Sequence, residues 1–187
     1  MSTSIATGTA PSATGVSGAG LTFTEIGTTG GLLYSGSPGV RRMQAWRALV
    51  GSGATTGSIA ISLDGVSTGM DAVLLEFDGM DVSGANGSGA VVQSASKAGS
   101  ATSLTVTLSA FGSSGNRPVA FFNHRVTEAT TEEPGYTELD DASHSAPSAG
   151  AECEWHASTA DTTPSASWPT AASVGGFAIE VKAGATP

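Results

Sequence analysis

From Leu21 onward the apolar residues of this chain recur at every second position, and no stretch sustains a helical period. "SLTVTLS" sets Leu104, Val106 and Leu108 against Thr105 and Thr107, and "FAIEVK" sets Phe177, Ile179 and Val181 against Ala178, Glu180 and Lys182. Successive side chains of an extended chain point to opposite faces, so both phrases predict half-buried strands. "SIAISL" (Ile59, Ile61, Leu63) and "DAVLLEF" (Val73, Leu75, Phe77) repeat the pattern. "PVAFFNH" is apolar on both faces at Phe121 and Phe122, which predicts a more central strand. Turn-forming phrases such as "SGSPG", "GSGATTG", "ANGSG", "GSSGN" and "EEPG" separate these runs. With "LTFTEI", "GLLYSG", "AVVQSAS", "GYTEL" and "AECEWHA" the chain offers roughly nine or ten strands. The expected class is all-β, an antiparallel β-sandwich of jelly-roll type, with the strand order left open.

The head of the chain, residues 1–20, is rich in Gly, Ser and Thr and cannot bury enough apolar surface to fold by itself. It is expected as an extended N-terminal arm, with residues 21–187 as one sandwich domain. It contains no lysine, no arginine and no apolar run, so neither a secretion signal nor a transmembrane segment is expected. Seven basic residues against sixteen acidic ones leave a net charge of −9. A chain so poor in cations cannot line up phosphate contacts, which argues against nucleic acid and against an anionic membrane as partners. The single cysteine, Cys153, excludes an intrachain disulfide, so packing or association must hold the fold.

"RRMQAWRALVG" gathers three of the seven basic residues and a tryptophan between Arg41 and Gly51. As a strand it has no clean face. The preferred arrangement buries Trp46, Ala48 and Val50 and lets Arg47 cross the sheet to a carboxylate such as Glu76 as an ion pair. Trp46, Phe77, Phe121 and Phe177 are the expected structural core.

Three histidines, His124, His144 and His156, and many serines invite a search for nucleophilic catalysis, but no serine sits in a G-x-S-x-G elbow and no Cys–His pair has a recognised context. No catalytic, cofactor-binding or metal-ligating residue is assigned. In "AECEWHA", Cys153 and Trp155 point one way while Glu152, Glu154 and His156 point the other, so Cys153 and His156 diverge and no zinc pair forms. The expectation is Cys and Trp in the core with a polar outer face. "TEATTEEPGYTELDDASH" carries six acidic residues and reads as a solvated or interfacial loop, with calcium at Asp140 and Asp141 as the lesser reading.

Several phrases together, among them "GLTFTEIG", "AVLLEFDGMD", "VVQSASKAGSATSLTVTLSAF", "GYTELDDASH" and "WHASTADTTPSASW", resemble a β-sandwich module of tailed-bacteriophage and prophage structural proteins. The likeness runs over about residues 20–183 without a signature motif and carries no catalytic residue. It implies a non-enzymatic virion structural protein on the capsid exterior, a decoration or cement subunit that bridges neighbouring capsid subunits and forms a homo-oligomer. Partner contacts are then expected on the arm at Ser2, Ile5 and Pro11, and at Trp168. The alternative is a tail-fibre or surface adhesion module that binds glycans on exposed aromatics, for which Tyr34, Tyr136, Trp155 and Trp168 are the candidates.

Overall fold

The computed structural model describes residues 1–5, 8–35 and 39–184. The first third of the chain forms short strands: β1 (Ser2–Ile5), β2 (Ala13–Gly18), β3 (Leu21–Thr22), β4 (Thr24–Ile26), β5 (Leu32–Ser35), β6 (Val40–Met43) and β7 (Ala45–Arg47). β8 (Ile59–Leu63) and β9 (Gly69–Asp71) follow. The remainder builds longer ones: β10 (Val91–Thr105), β11 (Arg117–His124), β12 (Thr137–Ser145), β13 (Ser148–Trp155) and β14 (Ser165–Val181). Among the described residues the only helix is a short 3₁₀ turn at Ala85–Ala90, and no helix is long and apolar enough to cross a membrane.

The fold is an all-β antiparallel sandwich. Its centre is a five-stranded sheet in the order β10-β14-β11-β13-β12, with "PVAFFNH" in β11 flanked on both sides as its two apolar faces require. One face of this sheet carries Val119, Phe121, Cys153, Phe177 and Val181. The four-stranded sheet β5-β6-β1-β9 covers part of it, placing Tyr34 and Met43 against Phe177. The extended run 72–77 covers the rest; it belongs to no strand, yet Val73, Leu75 and Phe77 still point inward in alternation. The opposite face carries Ala120, Phe122, Val174 and Ala178, and packs under Leu104, Val106, Leu108 and Trp168.

Two adjacent glycines set the spacing of these layers. A Cβ at Gly175 would lie 2.5 Å from Tyr34 Cε1 and 2.7 Å from Met43 Sδ, so the upper sheet can approach β14 only because no side chain is there. A Cβ at Gly176 would meet Val106, Leu104 and Phe122 at 2.7, 2.9 and 3.0 Å on the other side. The register of β10 with β14 breaks between Ala101 and Ser103, where partners jump from Ala172 to Ser167. Trp168 lies within this irregularity, 3% exposed in the core.

The N-terminal segment is extended, but it does not stand clear as an arm. β1 lies between β6 and β9, with Ser2, Thr3 and Ser4 buried, and β2 pairs with β8. The reason is backbone demand: a low-complexity chain has no core of its own, but its amide groups can complete ladders in sheets that other segments nucleate.

The strand reading of "RRMQAWRALVG" holds only for Arg41–Met43 and Ala45–Arg47, in two different sheets and with the faces exchanged; Gln44 and residues 48–51 belong to no strand. Arg41, Met43 and Ala45 point toward the core, while Trp46 is only half-buried and belongs to none of the three apolar clusters. β7 pairs only with β4 in a two-stranded ribbon, and Trp46 lies half-buried on the side opposite Ala45. Arg47 and Glu76 form no ion pair; among the described residues Lys182 pairs with Asp81, and His144 meets Asp71 in a contact that is an ion pair only when the imidazole is protonated. Of the other expected core residues, Phe177 is buried, Phe121 is half-buried between two clusters, and Phe77 is half-buried with its ring 5.4 Å from Trp155.

Candidate functional site

Two polar clusters lie inside this apolar frame, one on each face of the five-stranded sheet. Between the two sheets, Asn123 of β11 is the hub. Tyr34 donates its hydroxyl to Asn123 Oδ1 at 2.6 Å, and Asn123 Nδ2 donates to the Gly150 carbonyl at 3.3 Å and to Asp71 Oδ2 at 3.4 Å. The buried Arg41 guanidinium donates to Asn123 Oδ1 and to the Ser148 carbonyl, while His144 Nε2 meets Asp71 Oδ1 at the rim. A cleft of about 30 Å³, room for one water, opens here among Ser4, Gly69, Asp71, His144 and Pro147. Ser4 donates to the Gly69 carbonyl at 3.2 Å, a backbone contact. Burial lowers the Arg41 pKa and raises that of the Tyr34 hydroxyl, so this cluster carries one buried cation tied to the sheet by hydrogen bonds. Gln44, also buried, ties the N-terminal strands in: its Oε1 accepts from Ala13 N–H at 2.7 Å and its Nε2 donates to Glu25 Oε1 at 2.8 Å.

On the opposite face the carboxylates gather. Alternation along β13 turns Cys153 and Trp155 toward Val119, Val181 and Phe77, as the sequence predicts, and burial pushes the Cys153 thiol up to about 12. Glu152 and Glu154 take the other side, but that side is not an outer face: both are 0% exposed. Neither carboxylate oxygen of Glu152 has a hydrogen-bond partner, and Glu154 has one, its Oε2 accepting from the Glu133 N–H at 3.1 Å. Burial and then the neighbouring carboxylates push Glu152 up to about 9, and burial holds Glu154 at about 8. Glu180, on the same face of β14, is equally buried but accepts hydrogen bonds from Gln93 Nε2 and Asn116 Nδ2. His124, beside the acids, stacks on Trp168 with ring centroids 4.6 Å apart and meets Thr130 Oγ1 at 3.0 Å; burial lowers it to about 4, so it is neutral at physiological pH.

The acidic segment is therefore only partly the solvated loop expected of it: residues 137–140 are exposed in edge strand β12, while Asp141 turns inward. Asp140 is paired with Cys153 and Asp141 with Glu152, so the two aspartates point to opposite faces and make no common calcium site. No group of three or more His, Cys, Asp or Glu side chains among the described residues is placed to hold a metal ion.

The chain matches no protein-family model, no curated protein and no solved structure. The likeness to phage modules thus rests on its quoted phrases, and the site must be argued from geometry. Of the residues expected at a partner surface, Ser2 is buried in β1, Pro11 is buried with its carbonyl accepting from Thr3 Oγ1 at 2.7 Å, and Trp168 is in the core. Ile5 pairs through its backbone with Val40, and its side chain lies outside the described part of the structure, as does most of the turn read at "SGSPG". Arg41, Gln44 and Asn123 are among the interior polar residues to which sequence reasoning gave no interior role, and Glu152 and Glu154 are two that it placed on an outer face. One signal was present: a strand with Glu at both alternate positions beside Cys and Trp is fit for two covered faces only if the carboxyls are neutral or partnered.

Proposed function

We propose that this chain is a non-enzymatic virion structural protein, a decoration or cement subunit that docks on a shell and bridges neighbouring subunits. What supports the reading is the division of apolar residues between interior and surface. The large aromatics are withdrawn, while aliphatic side chains stand outward: Val66 is 81% exposed, Leu74 70%, and Val50, Val82 and Val92 are exposed as well. Leu74 projects from the extended run 72–77, whose backbone enters no ladder, and such a run with an aliphatic knob suits strand addition by another protein. The glycan-binding alternative needs exposed aromatics, and Tyr34, Tyr136 and Trp168 are buried while Trp155 is half-buried beside Phe77. That distribution favours the protein-docking reading.

The test is co-sedimentation of the purified chain, its mass known from light scattering, with shells that lack it. The expected result is saturable retention and a rise in the shell's melting temperature, because a ligand that binds only the assembled form stabilises it by mass action. A protein that ignores shells but is retained by host-surface glycans sinks the proposal.

A further inference from the structure

The carboxyl pair on β13 is closed in by other acids. Glu138 and Asp141 face it from β12, with Asp140 beside them, and Glu132 and Glu133 face it from the preceding loop. Asp161 approaches from the segment after β13, and His124 stands on β11. Tyr136, in edge contact with His156, closes the side. Neither ion pair of the described residues reaches Glu152 or Glu154. A buried carboxyl without counter-charge keeps its proton, with no donor at Glu152 and only the Glu133 N–H at Glu154, and two such groups side by side do so more firmly.

The loop before β12 crosses this pair, and β12 itself lies beside β13 at one edge of the sheet. β12 is an edge strand with one ladder neighbour, its register slips between Glu138 and Asp140, and residues 137–140 are exposed. The preceding loop is tied to β14 by the reciprocal Thr131–Ser167 backbone bonds of 2.8 and 3.0 Å, and to β13 by the Glu133 N–H on Glu154. That last bond joins the cover directly to one of the buried acids. β11 and β14, in contrast, each have ladder partners on both sides.

We propose that residues 130–145 form a proton-operated flap. With Glu152 and Glu154 protonated the flap lies closed over β13; when their protons pass to solvent, the two carboxylates repel each other and the acids above them, the flap lifts, and water reaches the pair while β11 and β14 stay paired. Burial first, and then the acids around the pair, raise both groups, which places the opening on the alkaline side of neutrality. The inference concerns the isolated chain and stands apart from the assembly reading.

Hydrogen exchange followed by mass spectrometry on the full chain, at about pH 6 and about pH 9 with intrinsic rates corrected, tests it. Peptides from 130–145 are expected to lose at least about tenfold in protection at the higher pH while those from 117–124 and 174–181 keep theirs. The near-isosteric Glu152→Gln/Glu154→Gln chain is expected to lose this difference. Unchanged protection at 130–145, a loss spread evenly over all strands, or a double variant that keeps the difference overturns the proposal. Should the double variant fail to fold, carboxyl titration of the wild-type chain by carbon NMR decides: two carboxyls titrating above neutrality in step with the exchange support the flap, and their absence overturns it. Calcium chloride added at the higher pH is expected to change nothing; closure by calcium would make the cluster a cation site instead.

Discussion

Glu152 and Glu180 are both fully buried on the same face of the central sheet, and the difference between them lies in their donors. Two amides reach Glu180; none reaches Glu152. An unfolded glutamate gives up its proton near pH 4.5, whereas Glu152 and Glu154 in the fold keep theirs to about 9 and about 8, so the folded state binds more protons between these limits. Stability therefore falls as pH rises through this window. Glu152→Gln removes one titrating group, and denaturant unfolding is expected to show a gain of more than about 1 kcal/mol near pH 8 and almost none near pH 5. The two tryptophans the sequence weighed most heavily exchange roles. Trp168→Ala is expected to cost about 3–5 kcal/mol in the same measurement, and Trp46→Ala distinctly less, because Trp46 is only half-buried and lies outside the apolar clusters.

Elements in this protein depend on close approach. The Gly175–Gly176 step lets Tyr34 and Met43 contact β14 on one side and Val106 and Phe122 on the other. Gly175→Ala or Gly176→Ala forces a methyl into space already taken, and each is expected to lower the unfolding free energy by roughly 1–3 kcal/mol, read from chemical denaturation. The N-terminal strands are a second such dependence. Deleting residues 1–20 removes the strand between β6 and β9 and the partner of both β3 and β8, leaving their ladder groups unpaired. The truncated chain is expected to lose cooperative unfolding by circular dichroism, where a free arm would leave the melting curve in place.

For the whole molecule, the acids on one side of the sheet and the histidine beside them pull in opposite directions. His124 is held neutral down to about pH 4 against an ordinary value near 6.5, so its contribution is present above 6.5 and is lost as pH falls through that interval. The Glu152–Glu154 pair contributes most at acid pH and loses ground steadily upward. Above neutrality nothing in His124 offsets the pair, and the melting temperature of the isolated chain is expected to decline between about pH 7 and about pH 9.

Alternation alone determined the all-β class, the places of β10, β11, β13 and the end of β14, and the turning of Cys153 and Trp155 into the core, because side-chain parity is a local property of an extended chain. It also separated Glu152 and Glu154 from Cys153. Whether that second face meets water was decided only by tertiary structure, since it depends on how the loop before β12 crosses toward β14 at Thr131–Ser167, which the parity of β13 does not encode. The same holds for "RRMQAWRALVG": parity offered two faces, and the choice of Met43 and Ala45 over Trp46 fell to which side of the strand a neighbouring sheet happened to close. Local chemistry specifies which residues share a face; only the packed layers specify which faces are inside.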